Sequence, residues 1–238
     1  VRAVESSSNG IMMTDAVATS RALWDYVQQN AKAEFKDVYP LAFHVHGPGV
    51  VHMRDKQVKV LADFKGLKVR APTRLTNKLL AALGATPVGM PVPQVPEALN
   101  KGVIDGAVVP WEIVPGLKLQ EIVKFHGETD PKFPAFYTSV FIYAMNTAKY
   151  NSLPAEAKKV LDANSGISLA TFIGKVFVDG DVPGRKSAEV RNNTIVTIPA
   201  SELENWRKAA QPVYDEWVKE MAAKGHDGKK LIESARSL

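Results

Sequence analysis

Apolar residues recur along the chain with two distinct periods. Ala18, Ala22, Leu23, Tyr26 and Val27 fall on one helical face, with Thr14 placed as the N-cap. Leu75, Leu79, Leu80 and Leu83 repeat that pattern, and Gly84 stands where a helix C-cap belongs. A shorter helix is predicted from Pro96 to Gly102. Apolar and alternating runs predict strands over 41–46, 67–71, 122–125 and 136–145. Residues 103–109 read as strand, turn, strand around Asp105-Gly106. Further on, Pro154 suits the first turn of one long helix carrying Val160, Leu161, Ile167, Phe172, Ile173, Val176 and Phe177, weakened locally by Gly166 and Gly174. Residues 194–198 read as an isolated strand. Ser201 and Glu204 form a capping box for a last helix with Leu203, Trp206, Ala210, Val213, Tyr214, Trp217 and Met221 on one face. Pro212 should kink it and Gly225 end it.

Strands alternating with helices predict an α/β architecture. The 238 residues, 45% of them hydrophobic, suffice for one large domain or two small ones. The run Ser6-Ser7-Ser8-Asn9-Gly10 has loop composition. No internal repeat or linker stands out, and no apolar run approaches the roughly 20 residues of a membrane span. The absence of cysteine excludes disulfides, thiolate metal ligands and cysteine nucleophiles. The net charge of +5 comes from lysines and arginines dispersed among acids, which reads as a solvated surface and argues against a nucleic-acid partner. Gly-x-Ser-x-Gly, a phosphate loop, His-Glu-x-x-His and Gly-x-Gly-x-x-Gly are all missing, so a binding protein is preferred over an enzyme.

Arg70 is the leading candidate for chemistry. It lies at the carboxyl end of the 67–71 strand, on the face opposite Leu67, Val69 and Ala71. Ligands of open α/β sheets bind outside the carboxyl ends of strands, and guanidinium matches a carboxylate in a two-bond fork. An exposed arginine at a strand end is the competing reading. His44 and His46 share a strand face; such a pair can hold a metal, but no third ligand is evident and no metal is expected. His46 is instead a candidate ligand contact or a structural residue. Thr73, followed by Arg74, stands at a helix start, where free N–H groups favour anions and where a plain N-cap is equally at home. Tyr137 is either a hydroxyl donor to ligand or a core aromatic. Asp105 reads as a turn residue.

The run Ala62-Asp63-Phe64-Lys65-Gly66-Leu67-Lys68-Val69-Arg70-Ala71-Pro72 resembles the signature of the DctP family, the extracytoplasmic solute receptors of tripartite ATP-independent periplasmic (TRAP) transporters. The likeness continues through Leu83-Gly84-Ala85-Thr86-Pro87, Met90-Pro91, Glu97-Ala98-Leu99, Gly102-Val103-Ile104-Asp105-Gly106 and Asn151-Ser152-Leu153-Pro154. The resemblance implies a two-lobed periplasmic-binding-protein-like fold with a hinge and a long helix across both lobes. It divides the chain into lobe I, 1–46 and 138–178, and lobe II, 47–137 and 179–238. The family's opening strand–helix–strand portion has no counterpart here, so lobe I is expected to be incomplete. The arginine matching Arg70 pairs with the ligand carboxylate. Three departures from the family pattern are apolar: Val109 replaces an asparagine, Val92 an aromatic, and Val50 stands nearest to the second arginine of sialic-acid-type receptors. The implied ligand is less polar than a sugar acid and carries one carboxylate. An aromatic or short-chain 2-oxo or 2-hydroxy acid suits, with Trp111 as a pocket wall or, alternatively, a core aromatic. The implied partner is the membrane part of a TRAP transporter, the place the periplasm, the state a monomer, with no cofactor. A carboxylate-sensing module of a receptor and an α/β enzyme are the alternatives.

Overall fold

The computed structural model describes Met13 and residues 15–238. The loop expected at 6–10 and the cap expected at Thr14 lie outside the described residues. Helix α1 (Ala16–Asn30) is capped by Asp15, whose carboxylate accepts the Ala18 N–H at 2.7 Å. Its buried face is Ala16, Ser20, Leu23, Tyr26 and Val27, so Ala18 points outward instead. Ser20 is buried because its hydroxyl accepts the Val45 N–H at 3.1 Å.

Strand β1 (Val38–Val45) leads into β2 (Gly49–Met53). There follow β3 (Lys68–Ala71), α2 (Arg74–Ala82), β4 (Thr86–Gly89), α3 (Val95–Asn100), β5 (Gly106–Pro110), α4 (Leu119–Ile122) and β6 (Phe125–Thr129). Then come β7 (Val140–Asn146), α5 (Thr147–Asn151), α6 (Ala155–Ala163), α7 (Ile167–Glu189), β8 (Thr194–Ile198), α8 (Ala200–Ala222) and α9 (Gly228–Arg236). β1 and β7 form an antiparallel pair; the other strands form one sheet in the order β4-β3-β5-β2-β6-β8. In it β3 runs parallel to β4 and β5, and β6 parallel to β8, while β2 is antiparallel to both its neighbours. One face is covered by α2 and α8 through Val69, Leu80, Val108 and Trp206. The other packs Val50, Ala107 and Val109 against Leu99 and Leu119 of α3 and α4. A sheet buried on both faces explains the apolar runs of β2 and β5.

Two sheets make two lobes. Among the described residues the chain passes between them at 46–48, at 130–139 and through α7, which packs on α1 and β1 and also on the 3₁₀ turn Trp111–Ile113. α9 also bridges: its Leu231 and Ala235 pack on the α1 core, and its Ile232 joins Trp217 and Met221 of α8. Phe141, Ile142 and Tyr143 of β7 and Phe172 and Val176 of α7 are exposed. No helix among the described residues is long and apolar enough to cross a membrane.

Several expected elements shift. Residues 103–105 are turn, not strand, because Asp105 closes a loop back onto Lys68: its carboxylate accepts the Lys68 N–H at 2.7 Å and its own N–H donates to the Lys68 carbonyl at 2.8 Å. Ile122 ends α4, and the strand begins at Phe125, where β2 and β8 supply partners. Residues 136–139 belong to the crossing, so the strand predicted there starts at Val140. The single helix from Pro154 is two, broken at Gly166, whose φ of 75° and N–H bond to the Leu41 carbonyl stop α6 from continuing. Residues 194–198 are an edge strand parallel to β6, not an isolated one. The Ser201–Glu204 capping box does not form: α8 starts two residues earlier, with Pro199 at the N-cap position, and Glu204 pairs with Arg207.

The seat of α7 on the Trp111–Ile113 turn depends on two glycines one helical turn apart. A Cβ on Gly184 would lie 2.0 Å from the Trp111 carbonyl oxygen, and one on Gly180 would lie 3.0 Å from Glu112 Cβ. Gly184→Ala is expected to destabilise the protein by about 1–3 kcal/mol through backbone displacement. Gly116→Ala, whose Cβ would meet the Ile113 oxygen at an ordinary 3.6 Å, should cost less than about 0.5 kcal/mol. Urea unfolding of the two variants checks the contrast.

Candidate functional site

In β3, Arg70 stands opposite Val88 of β4 and Ala107 of β5, so it shares a sheet face with Val109 two residues further along β5. The side chain is only 3% exposed. Its Nε donates to the Met90 carbonyl at 3.0 Å and its Nη1 to the Val108 carbonyl at 3.3 Å. Both acceptors are neutral, and among the described residues no carboxylate pairs with it. Burial pushes the guanidinium pKa down, and Tyr137 opposes that shift; arginine nonetheless stays charged. A cation withdrawn from water and left without a counter-ion costs several kcal/mol. With Nε spent on Met90 and one Nη1 hydrogen on Val108, the second Nη1 hydrogen and Nη2 remain for a two-bond anion contact.

Tyr137 lies at the same junction. Its ring covers Gly49, where a Cβ would fall 2.0 Å from Cε1, and its carbonyl accepts the Gly49 N–H at 2.9 Å. Burial pushes the phenol pKa up; Arg70 pulls it down and Glu112 adds to the rise. The hydroxyl therefore remains a protonated donor, and no hydrogen bond from it to a described residue forms.

The other expected site residues divide. Val109 is buried beside Arg70's strand, and Val92 is half-buried in the 3₁₀ turn Val92–Gln94 that opens α3. Thr73 is the N-cap of α2, accepting the Thr76 N–H at 3.2 Å, and Arg74 turns to Glu220 of α8 at 2.9 Å. His46 has no nitrogen to spare: Nδ1 donates to the Gly47 carbonyl at 2.5 Å and Nε2 accepts the Ser139 N–H at 3.1 Å. Burial holds its pKa down to about 4, and the ring is a neutral strut between the first two crossings. His44 stacks on Phe141 and Phe177. No group of three potential metal ligands occurs among the described residues. Trp111 is a core aromatic: only 5% exposed, it donates from Nε1 to Glu128 at 3.1 Å and sets its ring against His52 and His126.

Two groups escaped the sequence reading. His52 and His126 are fully buried neighbours on β2 and β6. Asn193 donates to His126 Nε2 at 3.1 Å, so His126 carries its proton on Nδ1 and gives it to His52 Nδ1 at 2.7 Å. His52 Nε2 then donates to the Val109 carbonyl at 3.2 Å. The chain of donors is complete with both rings neutral, and burial depresses both pKa values. Asp181 of α7 accepts the Glu112 N–H at 2.9 Å. Its pKa is raised to about 7, by burial first and by the Glu112 carboxyl as well, against the pull of the Glu112 and Trp111 N–H groups. The sequence signal for Asp181 was its place between Gly180 and Gly184, a small-residue notch on one helix.

A well-formed apolar cavity of about 320 Å³ lies elsewhere, between α2, α8 and residues 133–136, lined by Leu79, Phe136, Trp206 and Tyr214. Its arginine, Arg207, is already paired with Glu204 at 2.7 Å. Arg70 has no such carboxylate partner among the described residues.

Residues 11–220 match the family described as DctP, bacterial extracellular solute-binding protein, family 7. The fold is similar to a TRAP solute-binding protein from Rhodoferax ferrireducens T118 solved with copurified benzoate. That protein is 48% identical with a TM-score of 0.97, over 99% of this chain and 73% of that one. A marine metagenome TRAP solute-binding protein specific for aromatic acid ligands, solved with 3-hydroxybenzoate, is 42% identical with a TM-score of 0.95, over 99% and 73%. Among curated proteins, the 2,3-diketo-L-gulonate-binding periplasmic protein YiaO of Escherichia coli (strain K12) is 30% identical over 55% of this chain and 39% of its own length. The chain thus spans well under two thirds of that relative.

Asp181 makes a signed pH prediction. The folded state holds its proton to about pH 7, against 3.8 ordinarily. Its contribution to stability is therefore fullest at acidic pH and is lost as pH rises from about 4 to 7. The stability difference between wild type and Asp181→Asn, followed by urea unfolding across that range, should move against the wild type with rising pH and level off above pH 7.

Proposed function

This chain belongs to the bacterial extracellular solute-binding proteins of family 7, and from that premise we propose that it captures a small aromatic monocarboxylate for a TRAP-type transporter. The observation that carries the reading is Arg70, a buried guanidinium with neutral partners and unspent donors. An acid group placed there supplies the missing counter-ion and two charge-assisted hydrogen bonds. Tyr137 donates its hydroxyl to the same ligand. Val109 and Val92 contribute apolar surface where a polar ligand would require hydrogen-bonding groups. Benzoate and 3-hydroxybenzoate, bound by the two similar structures, are the acids of this description.

The ligand enters between lobe I (1–46 and 138–178) and lobe II (47–137 and 179–238) and favours the closed state by touching both. The C-terminal helix α9 ties lobe II back to α1, so closure turns about the crossings and leaves that contact in place. The protein acts as a monomer in the periplasm, recognised in its closed form by the transporter's membrane subunits. It binds without turnover: the polar groups at the site are a permanently charged arginine and a phenol whose pKa is raised further by burial, neither suited to proton transfer near neutral pH.

Isothermal titration with benzoate tests the reading. Wild type should bind in the micromolar range or tighter, and Arg70→Ala should weaken binding by at least about 100-fold, in keeping with loss of a buried charge pair. Arg70→Lys should recover little, because an ammonium lacks the fork. Equal affinity of wild type and Arg70→Ala would remove the basis of the proposal. Tyr137→Phe should weaken benzoate by about 5–20-fold, the loss of one hydrogen bond to a charged group, read in the same titration.

A further inference from the structure

We infer that Asp181 is a positioning residue of the ligand site: it locks the end of β5 to the long helix α7, and Gly47 is kept without a side chain to admit its carboxylate. The inference rests on the ligand reading above and adds the part of the molecule that holds Arg70's surroundings in place.

Strand β5 ends at Pro110 and runs straight into the turn Trp111–Ile113. The first N–H groups of such a turn have no partner within it. Asp181 supplies one from another element, its Oδ1 accepting the Glu112 N–H at 2.9 Å. Gly180 and Gly184 let α7 approach closely enough for this, since side chains there would strike Glu112 and the Trp111 carbonyl. The second oxygen, Oδ2, lies over the first crossing between the lobes: a Cβ on Gly47 would fall 1.8 Å from it. Gly47 does not have a left-handed φ, so what an alanine there would have to displace is the Asp181 carboxylate, not its own backbone. One carboxylate thus touches the 46–48 crossing and the end of β5 from a helix that packs on both lobes.

The same strand carries the Val108 carbonyl that receives Arg70 Nη1 at 3.3 Å. The line of contact runs from Asp181 to the Glu112 N–H, along β5 to Val108, and to the guanidinium. Releasing the turn frees the end of β5 and lets Arg70 lose its aim, without removing any group that touches ligand.

A double-mutant cycle tests this, read by benzoate titration on Gly47→Ala, Asp181→Ala and the pair together. Each single variant should weaken benzoate by about 10-fold, and the pair no more than Asp181→Ala alone, because the new methyl group then meets empty space. Asp181→Asn, which keeps an acceptor for the Glu112 N–H, should lose less than Asp181→Ala. Penalties that multiply in the double variant would overturn the inference. So would affinities within twofold of wild type in both Asp181 variants alongside lowered thermal stability, since Asp181 would then be structural only. If Asp181→Ala does not fold, Gly47→Ala against Asp181→Asn carries the comparison: near-wild-type affinity in Gly47→Ala overturns it. A wild type that does not respond to benzoate counts against the ligand reading itself. Urea unfolding of the same variants then decides the contact, non-additive losses upholding the Gly47–Asp181 lock and additive ones overturning it.

Discussion

A charge buried without its opposite is the constraint around which this protein is arranged. Arg70 gives up water on all sides and receives two neutral carbonyls in return. Carbonyl dipoles orient a guanidinium but do not neutralise it, and the balance is a standing cost of several kcal/mol. Such a cost is tolerated where binding relieves it, which is what the proposed carboxylate would do. Met90 and Val108 fix the direction of the fork, and the Tyr137 ring covers Gly49 at the neighbouring junction.

Aim requires rigidity where the two lobes meet, and the chain achieves it by removing side chains. Gly47, Gly49, Gly180 and Gly184 each lie where a Cβ would collide with a residue from another segment. The groups seated against these glycines are Asp181, the Tyr137 ring, Glu112 and the Trp111 carbonyl. Backbone segments can then be clamped by hydrogen bonds across elements, as with His46 between Gly47 and Ser139. The buried histidine pair serves a similar end inside lobe II. Its donors run one way, from Asn193 to the Val109 carbonyl, so a second proton would break the order.

The sequence was most legible where one local signal decided the outcome. Leu75, Leu79 and Leu80 marked α2, with Thr73 at its start, and the 67–71 run marked β3 with Arg70 near its carboxyl end. Boundaries failed where distant partners decided them. Asp105 is turn because it bonds Lys68, and residues 136–139 are crossing because they bond the 46–49 segment. Neither partner is readable from local periodicity. Trp111 and His46 were drawn to the site by their chemistry, yet their polar atoms are satisfied by Glu128 and by Gly47 and Ser139. Asp181 was overlooked for the opposite reason: a lone acid in a helix carries no pattern until the notch around it is seen.

Selectivity in the proposed site follows from what surrounds the cation. With Val109 and Val92 where polar groups would serve a sugar acid, each ligand hydroxyl turned toward those valines would forfeit its hydration for no new bond, at about 1–3 kcal/mol apiece. A dicarboxylate would fare worse, since Arg70 neutralises one charge and the second would be buried against valines. An aromatic ring has neither defect. It fills apolar space with a rigid body whose loss of freedom on binding is small. In the proposed site, a buried arginine in apolar surroundings would thus be a filter on ligand charge as much as an anchor: it would demand one anionic group and penalise a second.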